Sequence, residues 1–131
     1  MKYLGIDYGD SKIGLAIADS ETKLALPYKI ISGKDWQKLF TDLLDIVKAE
    51  RIEVIIVGIP FNNNKKNKNS LIQENRVEKF IDLLKEKLID IEIIASDERF
   101  STQAAQKLRS SNKDDDIAAM LILQNYLDGL N

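Results

Sequence analysis

The sequence contains no cysteine and no histidine among its 131 residues. Without cysteine there is no thiol nucleophile, and without histidine there is no Ser-His-Asp chemistry. Zinc sites built from the usual Cys and His ligands are excluded for the same reason. Any catalysis must therefore use carboxylates, lysine, arginine, hydroxyl groups or a hard cation such as Mg²⁺ or Mn²⁺, which oxygen-rich sites bind well.

Long apolar runs are lacking too, and the N-terminal segment MKYLGIDYGD carries an acidic residue by position 7. We therefore expect neither a membrane span nor a signal peptide, and a cytoplasmic location. Apolar residues make up 44% and charged residues 31% of the chain, so we expect a single domain, residues 1–131, around one core. The net charge of −2 does not indicate nucleic-acid binding, although a local basic face can coexist with an acidic total.

The first third of the chain predicts three strands and a helix. Residues 2–7 and 12–19 are rich in strand-forming residues and are joined by a turn-forming segment, which is typical of a β-hairpin. The apolar stretch 24–31 contains Pro27, so it predicts an edge strand or an interrupted one. Helical spacing follows in residues 36–47, where apolar side chains recur at intervals of three and four.

The remaining chain alternates strands and helices. A continuous apolar run at 52–60 predicts a buried strand at the centre of the sheet, and residues 91–96 predict a second buried strand. The polar tract 62–70 predicts a solvated loop. Helices are predicted where Val77 to Leu88 share an apolar face, at 101–109 with Ser101 or Thr102 as cap, and from about Asp115 to Leu127. This order predicts an α/β fold, a mixed sheet flanked by helices.

Asp7 stands near the end of the first predicted strand. If that strand is central, an acid there is unusual, because burying a charge is costly unless a partner or a metal ion compensates it. The alternative is an ordinary turn residue of the hairpin.

Two further acidic points follow later in the chain. Asp97 and Glu98 come directly after a predicted strand, where α/β folds often place functional residues, but a salt-bridged loop is the alternative. Asp114, Asp115 and Asp116 precede the last helix, where acids also interact favourably with the helix macrodipole. If the three points converge, they form a metal site without histidine, suited to two-metal hydrolysis of a phosphodiester.

Four segments together resemble the YqgF/RuvX family, whose members are described as Holliday-junction resolvases or pre-16S rRNA nucleases. They are GIDYGDSKIGLAIAD (5–19), VIIVGIPFN (54–62), SDERFSTQAA (96–105) and DDIAAMLILQNYLD (115–128). The resemblance runs nearly end to end. It implies an RNase H-like fold with a mixed sheet of about five strands, the first three antiparallel.

The resemblance also implies roles for individual residues. Asp7, Glu98 and Asp115 match the family's metal-binding catalytic acids. The cations nearest the substrate phosphates would be Lys12, Arg99 and Lys113. It leaves open whether Asp97 or Asp116 adds a further ligand. After GIPFN this chain departs from the family's Gly-containing loop, and Lys65, Lys66 and Lys68 there offer contacts to a nucleic-acid backbone.

The function implied is a Mg²⁺- or Mn²⁺-dependent nuclease acting on structured nucleic acid, with the 5′ end of pre-16S rRNA as substrate and the ribosome as a possible partner. Holliday-junction resolution is the alternative within the same chemistry and would need a homodimer. A non-catalytic module that binds nucleic acid or the ribosome is another. Residues 5–16 also look like the first phosphate loop of the actin and sugar-kinase superfamily, whose members pair two such domains around ATP.

Overall fold

The computed structural model describes residues 1–9, 11–59, 68–97 and 115–130, with the backbone alone at 68–74, 97 and 115. The elements, in chain order, are β1 (Lys2–Asp7), β2 (Lys12–Asp19), β3 (Ala25–Ser32), α1 (Trp36–Glu50), β4 (Val54–Ile59), α2 (Lys68–Lys87), β5 (Glu92–Asp97) and α3 (Asp115–Asp128). Each strand predicted from the sequence is present. The predicted helix 101–109 and its cap, Ser101 or Thr102, lie outside the described residues.

The five strands form one mixed sheet in the order β3-β2-β1-β4-β5. The first three pair antiparallel, as expected, while β4 and β5 run parallel to β1. Gly9 makes the first hairpin possible, because a Cβ there would lie 2.5 Å from the carbonyl oxygen of Lys12. The middle strand is β1 and not β4, contrary to the prediction for residues 52–60, because the crossover through α1 returns β4 to the free side of the hairpin.

Helices cover both faces of the sheet. Leu4 and Ile6 of β1 pack in one apolar cluster with side chains of α1 and α2. Tyr3 packs in a second cluster with side chains of α3, on the other face, as the alternation of side chains along a strand requires. In the part of the chain that the structure describes, no helix is both long and apolar enough to cross a bilayer.

The two edge strands differ in how well they were predicted. As Pro27 indicated, β3 is an edge strand, and its register with β2 shifts between Leu15 and Ala16. The other edge is β5, which is not fully buried as predicted: Glu92 and Ala95 are exposed, and Ile94 is half-buried. An edge strand has a neighbour on one side only, so an apolar sequence does not guarantee complete burial.

The structure defines the starts of α1 and α2 more closely than the sequence does. Helix α2 begins at Lys68, so the last three residues of the 62–70 tract are helical and not loop. A first turn needs no apolar face, because its carbonyl groups accept hydrogen bonds from the following turn. At α1 the Asp35 carboxylate accepts hydrogen bonds from the backbone N–H groups of Gln37 (3.1 Å) and Lys38 (3.4 Å) and caps the helix.

Candidate functional site

The carboxyl ends of three strands meet at one edge of the sheet. In the parallel register Asp7 of β1 lies opposite Gly58 of β4, and Gly58 lies opposite Ser96 of β5. Strand β5 ends one residue later, at Asp97. The backbone therefore brings the end of β1 and the end of β5 to the same edge, separated by one strand.

Asp7 is the single charged side chain that is buried among the described residues, with 7% of its surface exposed. Strand alternation places Asp7 on the same face as Tyr3 and Gly5, which is the face that α3 covers. A buried carboxylate is costly unless its surroundings compensate the charge. The burial argues against the interpretation of Asp7 as a solvated turn residue, and its role as a site residue stays a prediction.

Helix α3 runs antiparallel to β1, with its first turn toward Asp7. Tyr3 lies beside Tyr126 near the helix end, with 6.3 Å between the ring centroids. Two residues further along β1, Gly5 lies against Ala119 and Leu123. The two further residues from Gly5 to Asp7 cover roughly 6.6 Å along β1. The same length of helix contains about four residues, at about 1.5 Å each. The same progression brings the backbone of the first α3 turn to the level of Asp7.

This close packing depends on small residues on both elements. A Cβ at Gly5 would lie 2.8 Å from the Leu123 Cβ and 3.0 Å from the Ala119 carbonyl oxygen. Ala118 and Ala119 are buried in the second turn of the helix. Small residues on the helix and the strand therefore allow the backbone of α3 to lie close to the sheet.

The described residues include only part of the predicted carboxylate set. Asp115 is the first residue of α3, described by its backbone, and Glu98 lies outside the described residues. Asp116 is half-buried, and its carboxylate accepts a 2.9 Å hydrogen bond from the backbone N–H of Ile117, which fits a helix-start role. Among the side chains described, no three acids come together as a metal-binding group. The grouping of Asp7, Glu98 and Asp115 stays a prediction.

Of the predicted substrate-binding cations, Lys12 is the one that the structure describes. It is exposed and begins β2, two residues before Gly14, the partner of Asp7. Lys12 therefore lies at the same sheet edge as Asp7. Arg99 and Lys113 lie outside the described residues, as do Lys65 and Lys66.

A cavity that the sequence did not predict opens beside this edge. Its volume is about 450 Å³, and its lining residues are Tyr8, Gly33, Lys34, Trp36, Arg76 and Lys79. Trp36 was predicted as part of the apolar stripe of α1, but it is only half-buried because it begins the helix at the rim of the sheet. The signal available in the sequence was a pair of cations spaced as i and i+3, Arg76 and Lys79, on the predicted α2.

Comparison with known proteins agrees with this architecture. The family model described as "RuvX: Holliday junction resolvase" matches residues 1–129. A protein of Acetivibrio thermocellus named "Putative pre-16S rRNA nuclease" is 36% identical over 98% of this chain and 96% of its own length. A protein of Rickettsia conorii with the same name is 32% identical over 97% of this chain and 86% of its own length.

Two solved structures share the fold at low sequence identity. The RuvC of T. thermophilus in complex with a Holliday junction substrate has a TM-score of 0.63 at 14% identity, covering 98% of this chain and 96% of that one. The Fowlpox virus resolvase with Holliday junction DNA has a TM-score of 0.58 at 16% identity, covering 99% of both chains. The fold is therefore RNase H-like, and with the family match over nearly the whole length, the chain belongs to the RuvX family.

Proposed function

We propose that this protein is a metal-dependent nuclease that hydrolyses phosphodiester bonds in structured nucleic acid, with the 5′ end of pre-16S rRNA as its substrate. The observation that carries the proposal is the burial of Asp7 at the sheet edge, on the face covered by α3. The names of the relatives from A. thermocellus and R. conorii support the choice of substrate. A cytoplasmic location and association with ribosomal precursors accord with this substrate.

The chemistry of the donor set fits a hard divalent cation. Asp7, Glu98 and Asp115 would hold Mg²⁺ or Mn²⁺, because carboxylate oxygens are the ligands that these ions prefer. When bound, such ions stabilise charge on a phosphoryl group and lower the pKa of a coordinated water. The N-terminus of α3 adds a partial positive charge close to Asp7, which reduces the cost of keeping carboxylates together there.

The exposed cations have a different task. Lys12 lies at the rim of the same edge, and its positive charge attracts the phosphate backbone toward Asp7. Arg99 and Lys113 would act in the same way, from the two segments that flank the predicted acids.

The test is cleavage by an Asp7→Asn variant. A panel of 16S precursor RNA, single strands and four-way DNA junctions is incubated with Mg²⁺ or Mn²⁺, and initial rates are measured. We expect cleavage of the precursor RNA to fall by more than the 10- to 100-fold that is roughly typical of residues that merely support a metal ligand. The amide keeps the size of the side chain but removes its charge, so thermal unfolding will show whether the fold is retained.

The matched control is Asp19→Asn. Asp19 ends β2 at the opposite edge of the sheet, where its carboxylate accepts a 2.9 Å hydrogen bond from the backbone N–H of Glu21. We expect this variant to cleave like the wild type. Equal activity of the Asp7→Asn protein and the wild type in Mg²⁺ would refute the mechanism, and absence of cleavage and of metal binding in the wild type would favour a non-catalytic module.

Holliday-junction resolution is a second candidate, favoured by the description of the matching family and by the fold shared with two resolvases. Symmetrical cleavage of two opposed strands requires two sites, and hence a homodimer. Preferential cleavage of the four-way junctions in the panel, by a species that sediments as a dimer, would select this candidate. A strictly monomeric protein that leaves junctions intact would exclude it.

A further inference from the structure

The cavity beside Asp7 is formed where the end of β1 meets the start of α1 and the middle of α2. Tyr8 follows Asp7 directly and packs with the cluster on the opposite face of the sheet. The backbone N–H of Gly33 donates a 3.0 Å hydrogen bond to the carbonyl of Ser11 and thereby ties the entrance of α1 to the same edge. The cavity and Asp7 thus lie on the two sides of one strand end.

Trp36 is held rigidly at this cavity. Its ring makes edge-to-face contacts with Tyr8 at 6.4 Å, Phe40 at 6.0 Å and Phe80 at 6.2 Å between centroids. The ring remains half-exposed, at the cavity lining. A fixed, partly exposed indole offers a stacking surface that loses little conformational freedom on binding.

The charged side chains that line the cavity in the described part of the chain are all cations: Lys34, Arg76 and Lys79. All three are exposed. Arg76 and Lys79 are spaced as i and i+3 on α2 and so lie on one side of that helix. The whole chain carries a net charge of −2, so this concentration of positive charge is local and does not follow from an overall excess.

We propose that this cavity binds an unpaired segment of the polynucleotide substrate, with a base stacked on Trp36 and its phosphates beside Lys34 and Lys79. The combination of an aromatic platform with a cationic groove is the general recognition mode for single-stranded nucleic acids. Asp7 and Tyr8 are consecutive residues whose side chains lie on opposite faces of the sheet. A nucleic-acid strand that leaves the candidate cleavage centre and passes around the sheet edge therefore enters the cavity directly. This inference rests on the proposed function for its substrate class.

The sequence provides its own probe, because Trp36 is the single tryptophan. The experiment titrates the full-length protein, without divalent metal, with oligo(U), oligo(dT) and a blunt duplex, and follows tryptophan emission. We expect saturable quenching by a single strand and not by the duplex. Quenching by oligo(U) alone assigns the cavity to RNA, and quenching by both strands assigns it to unpaired nucleic acid in general.

Two double variants separate local charge from total charge. Lys34→Gln with Lys79→Gln removes two cations from the cavity, whereas Lys48→Gln with Lys85→Gln removes two exposed cations from the last turns of α1 and α2. The double variant in the cavity should make the slope of log K, the binding constant, against log salt concentration shallower by about 1.4, since each phosphate contact on a single strand contributes about 0.7. The second should leave the slope unchanged.

A third variant, Trp36→Leu, tests stacking with a labelled oligonucleotide and fluorescence anisotropy. We expect about 5- to 150-fold weaker binding of the single strand, with Trp36→Phe retaining most of the affinity. The lysine variants leave the aromatic cluster intact, so they decide the question even if Trp36→Leu unfolds.

The cavity proposal is overturned if no single strand changes the emission, if the duplex quenches equally, or if both lysine pairs alter the salt slope alike. Binding is measured without metal, so its outcome is independent of cleavage. Normal quenching together with an active Asp7→Asn protein would reject the catalytic proposal alone. Loss of cleavage in Asp7→Asn without quenching in the wild type would reject the cavity alone.

Discussion

Gly5 is the residue on which the approach of α3 to the sheet depends. Replacing it with alanine would place a Cβ 2.8 Å from the Leu123 Cβ and 3.0 Å from the Ala119 carbonyl oxygen. Because one of these atoms belongs to the helix backbone, α3 would have to shift. We expect Gly5→Ala to lower the free energy of unfolding by about 1–3 kcal/mol, as overpacking of a core does, when measured by chemical denaturation.

The control for this substitution is Gly129→Ala. A Cβ at Gly129 would meet its nearest atoms at 3.4 and 3.6 Å, ordinary contact distances. We expect the free energy of unfolding of this variant to lie within about 0.5 kcal/mol of that of the wild type. A Gly5→Ala protein as stable as the Gly129→Ala protein would show that α3 is not held at contact distance.

At the residue scale, the sequence predicted the position of Asp7 better than the exposure of Trp36. Asp7 lies at the end of β1, as the hairpin pattern predicted, and its role as a site residue stays a prediction. Trp36 fits the helical periodicity of α1 and was therefore predicted to share the apolar stripe of that helix. Periodicity identifies the face of a helix but not how far the sheet extends beneath it, so the half-exposed ring at the rim could not be predicted.

The first turn of α1 depends on one side chain. Asp35 accepts hydrogen bonds from two N–H groups that have no partner within the helix. We expect Asp35→Ala to reduce the free energy of unfolding by about 1 kcal/mol, and Asp35→Asn to recover most of the loss because an amide oxygen can accept the same bonds. Thermal unfolding of both variants tests this.

Asp45→Ala is the comparison within the same helix. Asp45 is exposed in the interior of α1, where alanine has the higher helix propensity. The Asp45→Ala substitution should therefore leave the free energy of unfolding unchanged or raise it slightly. If Asp35→Ala were no worse than Asp45→Ala, the cap would contribute nothing measurable.

At the scale of elements, the order and type of the described strands and helices were predictable from the sequence. Which strands lie next to each other in the sheet was predictable only in part. The turn in residues 8–11 predicted the pairing of β1 with β2. The positions of β4 and β5 depend instead on crossovers through helices, which leave no trace in the strand sequences. An apolar run such as 52–60 indicates an interior strand, and whether that strand is the middle one is decided by the topology.

Two tyrosines link the stability of the whole molecule to alkaline pH. Burial raises the pKa of Tyr28 above its ordinary value of 10.0, and the charge of Glu50 and a 3.3 Å hydrogen bond donated to its Oε1 raise it further. Burial also raises the pKa of Tyr126, with smaller contributions from Tyr3 and Glu92. In both cases folding favours the neutral phenol.

The direction of the pH dependence follows from linkage. A folded pKa above the unfolded one gives stability that is fully present below pH 10.0 and is lost as the pH rises through the folded pKa. We expect the free energy of unfolding to decline above pH 10.0, and to decline less in a Tyr28→Phe, Tyr126→Phe double variant. Denaturant titrations on both sides of that pH measure the difference. An identical decline in both proteins would contradict the assignment.

The edge formed by β3 also bears on how copies of the protein behave together. Three large apolar side chains, Leu24, Leu26 and Ile30, are exposed in or beside this strand, and an open strand edge with such residues invites an incoming strand from another copy. Pro27 lacks the backbone N–H that pairing with another strand needs, and Lys29 places a charge close to it in the same strand. The register shift between Leu15 and Ala16 of β2, opposite this part of β3, interrupts the regular ladder of backbone hydrogen bonds. The irregularity of β3 thus protects the protein against aggregation through this edge at the concentrations of a crowded cell.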